Sequence, residues 1–230
     1  MFFCILCHRL APFNRDICTR CEENLPWNLH ACRRCAEPIA PGQTECARCH
    51  TDETSVTFCY APLKYQFPIN QLILQGKTTR PELLLALSRL LARRVTPATE
   101  RLPDCLIPIP LHPAKQQLRG FNQAGVVAQQ ISKRLKIPVR YDLVEKIREP
   151  VQSQKALSRL ERTDNLKRVF RVNRAKVRES GVQHAAIIDD VITTGSTINQ
   201  IAAQLKSAGL QRVDAWALAR TPKNSDPFPT

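Results

Sequence analysis

Eight cysteines stand in the first 49 residues as four matching pairs, Cys4-x-x-Cys7, Cys18-x-x-Cys21, Cys32-x-x-Cys35 and Cys46-x-x-Cys49, each beginning 14 residues after the one before. A CxxC turn lets two sulfurs converge on one ion, and four thiolates at about 2.3 Å satisfy tetrahedral Zn²⁺, so the eight ligands predict two structural zinc sites. Other uses of an even cysteine count fit less well. A disulfide framework belongs to secreted chains, whereas the run Met1 to Cys7 lacks a basic leader and a small-residue cleavage site, so no signal peptide is expected. Thioredoxin-like chemistry needs one CxxC after a strand, not four in series. An iron–sulfur cluster can use the same thiolates. The simplest pairing sets Cys4, Cys7, Cys18 and Cys21 on one ion and Cys32, Cys35, Cys46 and Cys49 on the other; an interleaved cross-brace uses the same ligands, and spacing alone leaves both open. His8 and His50 each follow a CxxC cysteine and are alternative ligands.

The second chemistry-bearing string runs Ile187-Ile188-Asp189-Asp190-Val191-Ile192-Thr193-Thr194-Gly195-Ser196-Thr197. Two acids end an apolar run, and a Thr/Gly/Ser segment then opens a helix. Free N–H groups at a helix start, flanked by small hydroxyl residues, form a phosphate cradle, and Gly195 allows close backbone approach. Asp189 and Asp190 stand where they can accept hydrogen bonds from vicinal sugar hydroxyls or orient Mg²⁺. Together they fit a sugar 5′-phosphate. The plain alternative is a capped helix after a buried strand.

The rest of the chain must position these residues. Its 230 residues suit one to two domains, and 43% apolar against 23% charged residues allows an ordinary core. No window approaches a membrane span. The charge is local: residues 112–178 carry 17 Lys and Arg against five acids, giving +12 of the total +14, whereas residues 1–50 come to +1. Loaded with two Zn²⁺, the cysteine segment becomes mildly acidic, so the basic segment is the expected partner for a polyanion. Beyond residue 54 strands and helices alternate. Val56 to Tyr60, Cys105 to Ile109, Val139 to Ile147, Val169 to Val172, Ala185 to Ile188 and Val213 to Leu218 read as strands. Pro81 opens a helix with an apolar face of Leu83, Leu84, Leu87, Leu90 and Leu91. Asn122 caps a second helix, and Thr197 to Ser207 forms a third. This order predicts an α/β fold with a mostly parallel sheet and helices on both faces. Cys59 and Cys105 read as core residues, and the tail from Pro222 as loose.

The string at 187–197 resembles the phosphoribosyl pyrophosphate (PRPP) motif of type I phosphoribosyltransferases. Arg119-Gly120-Phe121-Asn122-Gln123 and the segment Gln154 to Arg162 with Asn165 narrow the resemblance to the competence protein F (ComF) family with its GntX-like members. That family joins a cysteine-rich zinc module to a phosphoribosyltransferase-like domain. The resemblance covers nearly the whole chain and implies a double zinc-knuckle module at 1–52, a phosphoribosyltransferase-like domain at 53–222 with a small hood near 60–80, and a tail at 223–230. It makes Asp189 and Asp190 the ribose ligands and Thr193, Thr194, Gly195, Ser196 and Thr197 the 5′-phosphate ligands. Lys115 and Arg119 become pyrophosphate-loop candidates, with a solvated basic loop as their alternative. Arg148, Lys155, Arg159 and Arg162 fall in a loop that would close over PRPP. Lys77 in the hood either faces ligand or is a surface lysine. Trp27, Trp216 and Phe121 read as packing residues, and His112 and His184 have no evident partner.

Three functions follow from these patterns. The first, implied by the resemblance, is a cytoplasmic protein of DNA uptake or use that binds single-stranded DNA and keeps a PRPP-type site served by Mg²⁺. The second is an active phosphoribosyltransferase joining a nitrogen base to PRPP with release of pyrophosphate. The third is an adaptor whose zinc module docks a DNA-uptake helicase or another DNA-processing protein.

Overall fold

Two nine-residue strands, 184–192 and 212–220, form the centre of a parallel sheet. This computed structural model describes residues 3–52, 54–111, 117, 120–147 and 169–223. Strands β1 (Phe58–Tyr60), β3 (Cys105–Pro108), β6 (His184–Ile192) and β7 (Arg212–Arg220) lie in the order β1-β7-β6-β3, all parallel, and β2 (Leu63–Lys64) extends the pairing of β7. Alternate residues of each strand serve opposite faces, the period of two that a pleated strand dictates. Leu106, Ala186, Ile188, Trp216 and Leu218 pack beneath α3 (Ile69–Gly76), α4 (Pro81–Arg94) and α5 (Gln123–Leu135). Cys105, Ile107, Ala185, Ile187, Ala215 and Ala217 pack beneath α7 (Ser196–Ala208) and the antiparallel pair β4 (Val144–Lys146) and β5 (Phe170–Val172). Helices thus cover both faces, as the alternating pattern predicts. No helix among the described residues is long and apolar enough to cross a membrane.

Helix boundaries follow local chemistry. Proline opens α4, and its five predicted leucines are all buried. The Asn122 side chain accepts from the Gly125 N–H at 3.4 Å to cap α5, and Asn173 does the same for α6 (Arg174–Ser180) through Lys176 at 3.1 Å. Cys59, Cys105 and Trp216 are buried core residues, as expected. The stretch 139–147 behaves differently from its alternating pattern. Arg140 N donates to Leu106 O at 2.8 Å and Val139 bridges to Leu106, whereas Val144–Lys146 pairs with β5, so the chain changes partner at a bend and only its second half is a strand. Helices α3 and α6 were not anticipated.

The cysteine segment is a duplication with a period of 28 rather than 14 residues. Phe3 pairs with Leu10 as Ala31 pairs with Pro38, closing one hairpin around Cys4 and Cys7 and another around Cys32 and Cys35. His8 and Ala36, 28 residues apart, take the left-handed conformation after these turns (φ 58° and 57°). The second pair of each set lies on a short helix, α1 (Thr19–Glu23) or α2 (Ala47–Thr51). The segment packs on the sheet assembly. Cys4, Ile17 and Leu25 share the core beneath α4, Arg89 of α4 grips Asp16 through two hydrogen bonds of 2.6 and 2.8 Å, and Glu22 meets Arg94 at 2.7 Å.

Candidate functional site

Four sulfurs meet in each half of the cysteine segment. Cys4, Cys7, Cys18 and Cys21 form one group and Cys32, Cys35, Cys46 and Cys49 the other, with all ligand atoms of a group within 4.8 Å of one another. This is the sequential pairing, not the cross-brace, and neither His8 nor His50 belongs to either group. Sulfurs bound to one Zn²⁺ at about 2.3 Å stand about 3.8 Å apart at the corners of a tetrahedron. Cys7 and Cys18 lie 3.7 Å apart and Cys35 and Cys46 3.6 Å, so both sets fit a tetrathiolate metal. Each contains an acidic thiol. Burial raises Cys4, but backbone N–H groups of Cys18, Cys7 and Leu6 outweigh it and bring it down to about 6. A hydrogen bond from the Cys35 thiol, joined by backbone N–H groups, lowers Cys32 to about 4.

The second site forms where β6 gives way to α7. Asp190 is buried and Asp189 half-buried, and the Asp190 N–H donates to Asp189 Oδ1 at 2.9 Å. Burial and the neighbouring Asp190 carboxylate push Asp189 well above the usual carboxylate range. Lys77, the C-cap residue that follows α3, forms an ion pair with Asp190. Its placement depends on Gly76, where a Cβ would meet the Leu84 backbone nitrogen at 2.9 Å, so only glycine lets α3 approach α4 this closely. Lys77 is therefore drawn in beside the acid pair and is not a solvated surface lysine.

Beyond the acids, Thr193, Thr194 and Ser196 are exposed, and Gly195 turns the chain at φ 77° into the first turn of α7. Thr194 Oγ1 and Ser196 Oγ lie 2.5 Å apart, and the Ser196 N–H donates to Thr194 Oγ1 at 3.3 Å. Exposed hydroxyl residues and a helix start thus gather at the loop. Behind it are two arginines that the sequence did not single out. Arg220, fully buried at the end of β7, donates to the carbonyls of Cys35 (3.0 Å), Ile192 (3.1 Å) and Thr193 and pairs with Glu37. Arg48 donates to the Thr194 carbonyl at 3.1 Å. A cavity of about 140 Å³ lies between loop and knuckle, lined by Arg34, Arg48, Thr194, Ser196 and Asn199 among others.

The remaining expectations divide by position. Lys115, Arg119, Arg148, Lys155, Arg159, Arg162, His112 and the segment Gln154 to Arg162 with Asn165 lie outside the described residues. Trp216 is fully buried, while Trp27 and Phe121 are half-buried against the same core. His184 does have a partner: its Nε2 lies 2.9 Å from Asp214 Oδ2, at the opposite end of β6 from the acid pair. Arg212 donates to both oxygens of Asp214, so the three residues tie together the starts of β6 and β7, at the strand ends remote from the loop.

A parallel sheet flanked by helices, with an acidic strand end running into a loop and helix start, gives the domain a phosphoribosyltransferase-like fold. In agreement, the phosphoribosyl transferase domain family matches residues 122–227. The chain belongs to the competence protein F and DNA utilization protein YhgH family. It is 39% identical over 171 residues to DNA utilization protein YhgH of Escherichia coli K12, covering 70% of this chain and 69% of that protein. Over 120 residues it is 39% identical to competence protein F of Haemophilus influenzae, a match that spans about half of each protein, 52% in both cases. Among solved structures, glutamine PRPP amidotransferase from B. subtilis aligns with a TM-score of 0.41 at 18% identity, over 59% of this chain and 26% of that one.

Proposed function

We propose that the protein serves DNA uptake or use in the cytoplasm and binds a PRPP-type sugar phosphate at Asp189 to Thr197. The observation that carries the sugar-phosphate reading is the convergence of the acid pair, Lys77 and the open loop at one strand end. Asp189 and Asp190 accept the vicinal ribose hydroxyls, and the loop N–H and hydroxyl groups hold the 5′-phosphate. Two adjacent carboxylates suit Mg²⁺, which supplies charge to neutralise the pyrophosphate when bound. Zn²⁺ is the metal proposed for the two cysteine groups, a reading supported by their all-thiolate make-up and closely spaced sulfurs. The chain would divide at about residues 52 and 222 into the metal module, the sugar-phosphate domain and a tail.

Single-stranded DNA is the polyanion for the basic segment 112–178, which includes the loop candidates Arg148, Lys155, Arg159 and Arg162. The names of the relatives support the DNA reading. The metal module is the surface that would dock a DNA-uptake helicase or similar partner. A second reading, an active phosphoribosyltransferase, is favoured by Lys77, whose positive charge beside the acid pair could assist departing pyrophosphate together with Lys115 and Arg119. Incubation with PRPP, Mg²⁺ and a panel of bases separates the two. Base-dependent pyrophosphate release identifies the transferase; DNA binding with PRPP bound and unconsumed identifies the uptake protein; absence of PRPP binding rejects the site.

A further inference from the structure

The loop that would receive the sugar phosphate is held from behind by one of the two metal knuckles. Arg220 spans the carbonyls of Ile192 and Thr193 on the loop side and the Cys35 carbonyl and Glu37 carboxylate on the knuckle side. Arg48, which stands between Cys46 and Cys49 in the chain, holds the Thr194 carbonyl. Just past the same knuckle, Thr54 Oγ1 and the Ser55 N–H close on Asn199 Oδ1 of α7 at 3.0 and 2.6 Å. Three successive carbonyls, of residues 192, 193 and 194, therefore accept from these two arginines, that of Ile192 also from the Thr221 N–H at 2.9 Å. In a planar trans peptide the C=O and the following N–H point in opposite directions. The N–H groups of Thr193, Thr194 and Gly195 are accordingly aimed away from the arginines, toward the open side of the loop. Successive N–H groups with a left-handed residue among them form an anion-binding concavity.

The first knuckle is joined to a different part of the molecule. Its polar ties run through Asp16 to Arg89 and Glu22 to Arg94, both on α4. We propose that Arg220 and Arg48 are positioning residues that make the Cys32–Cys49 knuckle part of the sugar-phosphate site. Metal at this knuckle and a phosphate ester at the loop then strengthen each other's binding, by the same factor as linkage requires, while the metal of the first knuckle stays outside the coupling. The inference rests on the sugar-phosphate reading above and adds to it the knuckle that organises the loop.

The test uses the native protein with the metal it carries on purification. A zinc-selective chelator is added with and without saturating PRPP and Mg²⁺, release of each ion is followed by native mass spectrometry, and PRPP binding is measured separately by calorimetry. One of two ions should be released about tenfold more slowly when PRPP is bound, with the other unaffected. Arg48→Ala, which removes a half-buried side chain outside the ligand set, should keep both ions, bind PRPP about tenfold more weakly and abolish the protection. Arg48→Lys should recover part of both effects. PRPP that binds yet protects neither ion or both alike overturns the coupling, as does protection that survives in Arg48→Ala or a native protein without metal. A wild type that fails to bind PRPP overturns the sugar-phosphate reading, and this inference with it.

Discussion

Lys77 at the end of α3 is ion-paired with Asp190 near the end of β6, so the segment before α4 and the acidic strand end meet in one contact. With Lys77 about a quarter exposed (24%) and Asp190 at 13%, the pair is poorly solvated, and Asp189 beside it adds a second carboxyl group. One lysine therefore offsets a crowded pair of acids.

Removing that lysine leaves the acids to repel one another. Lys77→Met should destabilise the protein by about 2 kcal/mol, below the roughly 3–5 kcal/mol of a broken fully buried pair because Lys77 keeps some contact with water. The loss should be larger at pH 8 than at pH 5, where proton uptake relieves the repulsion. Thermal unfolding at both pH values checks this, and an equal loss at each would show that Lys77 acts through packing alone.

Asp189→Asn should have the opposite effect on stability. Burial and Asp190 raise its carboxyl above the ordinary value of 3.8, so between 3.8 and the raised folded value the native state holds more proton than the unfolded chain. Stability then falls as pH rises through that window. Asparagine carries no such penalty, so the variant should have a higher Tm than wild type at neutral pH, with the difference shrinking toward pH 4. The same variant should bind PRPP more weakly, a trade of stability against ligand affinity. A lower Tm at pH 7 would contradict the assignment.

The strand end and loop were legible in the sequence because acids, hydroxyls and glycine fall in one continuous string. Arg220 was not, since an arginine closing an apolar run looks like any strand terminus, and its five acceptors come from sequence positions as distant as Cys35 and Glu37. The four CxxC pairs read as equal units because the period of 28 lies in backbone conformation, in the left-handed His8 and Ala36, and not in the cysteines. The stretch 139–147 largely alternates yet serves two partners, which a periodicity cannot reveal.

Native mass spectrometry should find two metal ions per chain, and replacing Cys18 and Cys21 together by Ser should leave one. A structural site contributes roughly 10 kcal/mol or more of binding energy to folding. Because Cys4, Ile17 and Leu25 share the core beneath α4, loss of the first metal should also loosen that helix layer. Hydrogen exchange should show faster opening in α1 and α4 and little change in β6. A chain with four disulfides and no metal would reject both sites.

If the basic segment 112–178 grips single-stranded DNA, its contacts are to phosphates and must weaken with salt. Neutralising about five phosphates on a single strand gives a slope of log affinity against log salt of roughly −3.5, a loss of about a hundredfold between 50 and 200 mM. Replacing Arg159 and Arg162 together by Ala should make the slope shallower by about 1.4, since each lost contact removes roughly 0.7. Lys133 and Arg134, which line a groove with Arg89 and Arg93 at the far ends of α4 and α5, provide the comparison. Their double alanine variant should change the slope less if DNA follows the sugar-phosphate side, and more if it follows this groove. Competition decides the same point independently: if the segment carrying Arg159 and Arg162 closes over PRPP, as the family resemblance implies, DNA that it holds should bind more weakly at saturating PRPP, whereas DNA in the groove beside Arg93 should be indifferent to it.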